Sequence, residues 1–337
     1  MIDIIISPYT AADNESALRL EKQCIQGKSL VLKYKRPTFH ARSEVYDEYK
    51  ILCAKVEDEL VGIVAWSEKP VMLHGNKIRA AYMYDLRVHP EYRKKGVSYH
   101  LTRALFEDIG QKMDCSYTLV AGENDRCLKP AQRLFGMKLT LPLTYVVMPV
   151  YKKLKEKNAY CNTSAKNVHD LYLQNNQNID FVPEFNEKKL LGYVTSIEAK
   201  NGNCSGCSVW TNENLLAEQV VMVPSIHQIQ RVISAPLRPF LNLPYIPKPT
   251  DTIRSWFLFD FFAEDEKGVQ GLLANMNNIA FEHGRTFLYI LLQSNSRLLS
   301  AIQRTGHKIF TFPYYFLAKG SMIPTNTEEI YIDIRDL

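Results

Sequence analysis

Hydrophobic positions alternate, then recur every three or four residues, then alternate again as far as Val150, and this succession predicts a mixed α/β unit. Ile4-Ile5-Ile6 reads as a short strand, and Ala17, Leu18 and Leu20 recur at helical spacing behind a cap near Asn14. Lys50 to Val56 and Leu60 to Trp66 read as strands joined by Glu57-Asp58-Glu59, short enough for an antiparallel hairpin although it lacks glycine. Ala80 to Val88 is a third strand, ended by His89-Pro90 because proline brings no N–H to a ladder. Val97, Leu101, Leu105, Phe106, Ile109 and Met113 share one face of a helix. Tyr117 to Ala121 is a buried strand, Ala131 to Phe135 a short helix and Thr144 to Val150 a final strand that completes the unit.

The second half repeats the order. Leu190 to Lys200 and Cys207 to Thr211 predict a hairpin around Asn201-Gly202-Asn203. Trp256 to Ala263 is a strand whose Trp256, Phe257, Phe259, Phe261 and Phe262 read as core. A glycine-bearing turn and helix follow, then a strand from Phe287 to Leu292. Lys95-Gly96-Val97 overlays Lys267-Gly268-Val269 at an offset of 267 − 95 = 172, and Asn124 with Gln132-Arg133 overlays Asn295 with Gln303-Arg304 at 295 − 124 = 171. Near-constant offsets suggest a duplicated unit. A chain of 337 residues also exceeds the comfortable size of one core. Lys152, Lys153, Lys155 and Lys157, followed by the Asn- and Gln-rich stretch at 174–178, read as a surface connection. Two units are therefore expected, 1–155 and 156–337, with the boundary near residue 155.

Composition narrows the partners. The net charge of +5 permits an anionic small ligand without requiring nucleic acid, and no nucleic-acid-binding motif is present. Seven scattered cysteines and a start without a basic signal region predict a soluble cytoplasmic protein with reduced thiols and no membrane partner. Cys204-Ser205-Gly206-Cys207 has redox or zinc spacing but no second pair, and the histidines show no ligand spacing, so no metal is expected.

The chemistry concentrates where a strand runs through Arg93-Lys94-Lys95-Gly96 into an amphipathic helix. The first turn of such a helix offers unpaired N–H groups and the positive end of the helix dipole, so a phosphate could dock there. Gly96 lets backbone approach closely, Ser98 leaves space, and the three basic residues add charge. The competing reading is an ordinary exposed turn.

The spacing Arg93-x-x-Gly96-x-Ser98, after Leu86-x-Val88-x-Pro90, resembles the R-x-x-G-x-G/A signature of GNAT (Gcn5-related) N-acetyltransferases, with Ser98 where that family usually has Gly or Ala. Over most of the chain the sequence also resembles HOOKLESS-type N-acetyltransferase-like proteins. Asp85-Leu86-Arg87-Val88, Glu123-Asn124-Asp125, Leu134-Phe135, Pro149-Val150-Tyr151, Ser208-Val209-Trp210 and Leu243-Pro244-Tyr245-Ile246-Pro247 carry that resemblance. It implies tandem GNAT-like domains on a mixed α+β sheet, the second degenerate because Glu264-Asp265-Glu266 makes its loop acidic. It further implies acetyl-CoA as cofactor. Backbone of Leu86, Arg87 and Val88 would align the pantetheine, and amides from Lys94 through Lys95, Gly96, Val97 and Ser98 to Tyr99 would hold the pyrophosphate, with Asn124 as a further pantetheine contact. The thioester would lie where two parallel strands splay apart.

An amine must be neutral to attack, which for a lysine-like group costs about 4–5 kcal/mol at pH 7, so a proton acceptor is needed. Asp85 is the ionisable candidate, with Tyr82 and Tyr84 on its other face and Glu123 second. The competing reading of Asp85 is a strand carboxylate paired with Arg87. Leu128 and Phe135 fill the places where family members carry an Asn and the Tyr that protonates the coenzyme A sulfur. The expected function is acetyl transfer to an amine of a protein or small molecule. The alternative is a catalytically weak or inactive GNAT-fold protein acting through protein contacts.

Overall fold

A computed structural model describes residues 2–24, 31–110, 112–155, 160–186, 193–199, 204–237, 241, 243–325 and 329–337. The first half runs β1 (Ile5–Pro8), α1 (Asn14–Gln23), β2 (Val31–Lys35), β3 (Tyr49–Val56), β4 (Glu59–Leu73), β5 (Asn76–Val88), α2 (Val97–Ile109), β6 (Cys115–Ala121), α3 (Asp125–Phe135) and β7 (Lys138–Pro149). The second runs β8 (Tyr160–Thr163), α4 (Ala165–Asn175), β9 (Val182–Pro183), β10 (Tyr193–Ala199), β11 (Ser205–Trp210), β12 (Ala217–Met222), α5 (Ser225–Ser234), β13 (Ser255–Ala263), α6 (Glu266–Glu282), β14 (Phe287–Gln293), α7 (Arg297–Arg304) and β15 (Phe310–Gly320). The turn expected at Asn201-Gly202-Asn203 lies outside the described residues.

Local patterning explains most elements. The β3–β4 hairpin forms without glycine because Glu57 and Asp58 both take positive φ, 48° and 67°, the conformation a tight primed turn requires. In α2, Val97, Leu101, Leu105 and Ile109 form a buried stripe. Gly62 of β4 lets α2 settle on the sheet, since a Cβ there would stand 2.6 Å from Val97 Cγ1 and 2.8 Å from Leu101 Cδ1. The helix expected from Ala131 begins earlier, at Asp125, and runs through Pro130, which reads in sequence as a start signal. The aromatic run Trp256, Phe257, Phe259, Phe261 and Phe262 is buried core, and Cys204 and Cys207 are free thiols.

The described strands form one thirteen-stranded mixed sheet, in the order β1-β3-β4-β5-β6-β15-β7-β14-β13-β11-β10-β8 with β9 beside β4, and a separate β2–β12 ribbon. The first half is therefore not completed by its own last strand. β15, from the end of the chain, lies between β6 and β7, while β7 pairs with β14 of the second half. Each half holds a strand of the other, so the stretch around residue 155 joins halves that share one sheet. One sheet face carries a core continuous over both halves, from Tyr82 and Tyr117 through Phe316 and Leu143 to Tyr289 and Phe257. The opposite face carries two cores, one under α2 and one under α6 and α7.

Candidate active site

β5 and β6 are parallel and paired only from Ala80↔Cys115 to Tyr82↔Tyr117. Beyond Tyr82, β5 stays with β4 as far as Gly62↔Val88, while β6 stays with β15 as far as Tyr314↔Ala121. The two strands must therefore diverge, and a V opens between them. A bulge sharpens it: the four residues Tyr84 to Arg87 oppose the three residues Ile63 to Ala65, and Asp85 takes φ 55°. Leu86 is consequently exposed beside the opening.

The predicted phosphate loop lies at the wide end of this V. Gly96, at φ 90°, precedes α2, and no side chain caps the helix, so its first-turn N–H groups face outward. Lys94, with φ 64°, and Lys95, whose Nζ lies 4.9 Å over the Tyr92 ring, are exposed, as are Ser98 and Tyr99. Arg93 ties the loop to the bulged strand through Nε donating to the Val88 carbonyl at 3.3 Å. Glu123 and Asn124 are exposed just beyond β6, across the V. The structure thus gathers the bulge, Arg93 to Tyr99 and Glu123-Asn124 around one opening.

Asp85 and Tyr84 are placed differently. The Asp85 side chain is 4% exposed and lies 2.9 Å from Arg36 Nη1, 3.1 Å from Arg87 Nη2 and 3.8 Å from Arg42 Nη1. Burial works to raise its carboxyl, but these three guanidiniums outweigh it and hold the group well below the usual carboxylate range. A carboxylate so held takes up a proton poorly, which speaks against Asp85 as the proton acceptor the sequence suggested and favours the competing reading of a paired strand carboxylate. The pairing with Arg87 was legible as the competing reading; Arg36 and Arg42, from the segment after β2, were not. Tyr84 stacks on Tyr82 at 5.0 Å, and its hydroxyl lies 2.7 Å from both Ser43 Oγ and Ser67 Oγ. Burial pushes this phenol up to about 12, so it stays protonated near neutrality. Phe135 packs against Tyr99 at 5.9 Å and Phe106 at 5.7 Å.

On the continuous-core face lies a cavity of about 310 Å³, lined by residues of both halves including Arg42, Tyr46, Lys69, Trp210, Asp260 and Asp336. Its lining includes five acidic residues, Asp47, Glu184, Asp260, Asp333 and Asp336, beside the cations Arg42, Lys69 and Arg335. Lys69 Nζ lies 2.8 Å from Asp333 Oδ2 and from Asp336 Oδ2, while Asp260 accepts from Tyr331 at 2.6 Å. Through Arg42 the cavity adjoins the Asp85 cluster.

The second half repeats the V but not the loop. β13 and β14 pair in parallel only from Ser255↔Phe287 to Phe257↔Tyr289, and Phe259 to Phe262 bulge against Gly206 to Ser208. At the start of α6, however, Asp265 accepts from the Gly268 N–H at 2.7 Å, so the helix end is filled by a carboxylate of its own chain. The helix end that matches the start of α2 is thus already occupied.

Residues 6–124 match the model of the GNAT acetyltransferase domain, which takes in the hairpins, the V and the loop. No protein of curated function matches the chain. Solved structures share its fold over nearly the whole length. Saccharomyces cerevisiae N-myristoyltransferase with bound myristoyl-CoA gives a TM-score of 0.63 at 8% identity, over 98% of this chain and 89% of that one. A GCN5-related N-acetyltransferase from Kribbella flavida gives 0.52 at 12% identity, over 94% of this chain and 71% of that one. The glucosamine N-acetyltransferase region of a fungal multi-domain β-N-acetylglucosaminidase gives 0.58 at 17% identity, over 94% of this chain and 38% of that one. Among the described residues no helix is long and apolar enough to cross a membrane.

Proposed function

We propose that this chain, with its GNAT acetyltransferase domain in residues 6–124, transfers the acyl group of acetyl-CoA directly to an amine. The observation that carries this reading is the uncapped first turn of α2 behind Gly96, set at the wide end of the V between β5 and β6. Coenzyme A pyrophosphate suits that turn because its charge meets unpaired N–H groups and the exposed Lys94 and Lys95. Backbone freed from the ladder at Asp85 and Leu86 is available to the pantetheine amides. Asn124, exposed just beyond β6, is available to the pantetheine from the far side.

A small acyl group is supported by what fills the closed end of the V. Tyr82 stacks on Tyr84 at 5.0 Å and meets Tyr117 at 5.2 Å, and Tyr117 stacks on Phe316 at 5.2 Å. All four rings are buried, so side chains fill the closed end of the V, which favours a small acyl group over a long chain. The acceptor enters from the continuous-core face, where the cavity of about 310 Å³ has the size of a small-ligand site and carboxylates to meet an ammonium. The second half, with its helix end closed by Asp265, builds this acceptor side as a degenerate copy of the same unit.

A second reading has one observation in its favour. Phe135 has no hydroxyl to protonate a leaving thiolate and is packed between Tyr99 and Phe106, as a protein binding coenzyme A without efficient transfer would tolerate. Thiol release from acetyl-CoA, measured with polyamine, aminosugar and peptide amines as acceptors, separates the two. Amine-dependent release supports transfer; acetyl-CoA binding without release supports the second reading.

A further inference from the structure

The β2–β12 ribbon covers the continuous-core face beside the V. Glu218 of β12 stands directly opposite Tyr34 of β2, and the next pair on the same ribbon face is Val220 with Leu32. Val220 is 1% exposed and belongs to the core, so this is the inner face. Lys33 and Lys35 pair with Gln219 and Ala217 and so lie on the outer face. Beneath the ribbon the Glu218 carboxylate acts electrostatically on four phenols: Tyr34 of β2, Tyr145 of β7, Tyr289 of β14 and Tyr314 of β15. The Tyr145 ring lies 5.2 Å from Tyr289 and 5.5 Å from Tyr314.

These neighbours border the V on both sides. Tyr314 pairs with Ala121, the last residue of β6. Tyr34 lies 5.4 Å under the guanidinium of Arg87, the last residue of the bulge in β5. The segment entering β12 also supplies Trp210, Asn212, Leu215 and Leu216 to the wall of the acceptor cavity. Among the described residues the carboxylates of Asp85, Asp260, Asp333 and Asp336 are paired or hydrogen-bonded, whereas no hydrogen bond or ion pair reaches that of Glu218.

We propose that Glu218, contributed by the second half, is the proton acceptor for the amine that attacks at the V, an inference that rests on the acyl-transfer reading above. The amine nitrogen attacks the thioester carbonyl carbon, the C–N bond forms and the C–S bond breaks. The surplus proton on nitrogen passes to the Glu218 carboxylate, and the sulfur leaves with its electron pair as a thiolate that water protonates. Half-buried on the inner face of the ribbon, the Glu218 carboxyl is pushed by desolvation up to about 7, near the value best suited to accepting a proton at neutral pH. The groups facing it are the four phenols, which stay neutral there, with Arg42, Arg87 and Asp85 beyond Tyr34.

The test compares wild type with Glu218→Gln in the full chain, using acetyl-CoA with glycinamide or water as acceptor and following thiol release. Carboxyl-labelled glutamate, followed by carbon NMR, reports the titration of Glu218 independently of turnover. The expected result is a carboxyl that titrates near 7 in wild type, and a variant that binds acetyl-CoA as tightly but reacts on the order of 100-fold more slowly, without the rate rise across that pH range. A Glu218 carboxyl titrating in the ordinary glutamate range, or a variant within threefold of wild type with the pH dependence intact, overturns the proposal. Wild type that fails to bind acetyl-CoA would instead overturn the acyl-transfer reading beneath it.

Discussion

Asp85 and Asp260 occupy matching positions in the two halves: each lies three residues beyond the last parallel pair of its strand, Tyr82↔Tyr117 and Phe257↔Tyr289, and is the second residue of a four-residue bulge at positive φ. Their surroundings have diverged. Asp85 is clamped by arginines, whereas Asp260 is bonded to the Tyr331 hydroxyl and to His169 Nδ1 at 3.2 Å. The bulge and its aspartate are thus repeated in the two halves, whereas the basic loop before α2 is not.

Arg36 holds Asp85 and Glu21 together with both partners buried. Arg36→Ala is therefore expected to destabilise the fold by about 3–5 kcal/mol, because it removes the guanidinium that bridges two buried carboxylates and leaves Arg87 shared between them, with only Arg42 beside it at Asp85. Urea unfolding measures it; a loss below about 1 kcal/mol would show that water replaces the guanidinium.

Acid should act through the same kind of pair. Burial works to raise the Asp333 carboxyl, but Arg335 and Lys69 outweigh it and hold the group well below its ordinary value, as the arginines do at Asp85. A depressed folded-state value gives stability that is present above the unfolded value of about 3.9 and is lost as pH falls below it. The thermal midpoint of wild type should drop steeply below about pH 4, and less steeply in Asp333→Asn, which starts from a lower plateau.

Gly62→Ala should disturb the loop from behind. The added methyl meets Val97 and Leu101, the first two buried positions of α2, so the helix must shift, at a cost of about 1–3 kcal/mol. Acetyl-CoA binding should weaken in the same variant, although Gly62 belongs to β4 and not to the loop. Unchanged affinity at reduced stability would separate helix position from binding.

Residues 1–155 produced alone should not give a stable monomer. Without β15, strands β6 and β7 have no partner between them and the Tyr117 to Phe316 stacking is lost. Size-exclusion chromatography and amide dispersion decide it; a folded monomer would show that β6 and β7 can pair directly.

How far this was legible in sequence follows from the range of the interactions. Alternation and helical spacing marked β3 to β6 and α2, because those signals are local. The loop from Arg93 to Tyr99 was marked by composition, and Glu264-Asp265-Glu266 set the second half apart as acidic, whereas Asp265 capping its own helix required the structure. The insertion of β15 between β6 and β7 left no local trace, since pairing Tyr314 with Ala121 joins residues far apart in the chain. The surroundings of Asp85 were hidden for the same reason: Arg36 and Arg42, which join Arg87 on its carboxylate, come from a segment without periodic pattern. Glu218 carried no signal in sequence, since neither strand of the β2–β12 ribbon was predicted and its inner-face position follows from their pairing.

Calorimetric titration of the full chain with acetyl-CoA, run on wild type, Gly96→Glu and Asp265→Ala, tests the central claim most directly. The account predicts one site per chain, no detectable binding in Gly96→Glu, where bulk and negative charge meet a φ of 90°, and unchanged affinity in Asp265→Ala, which loses only a helix cap worth about 1 kcal/mol. Absence of binding by wild type at millimolar acetyl-CoA, or binding that survives in Gly96→Glu and vanishes in Asp265→Ala, would contradict it.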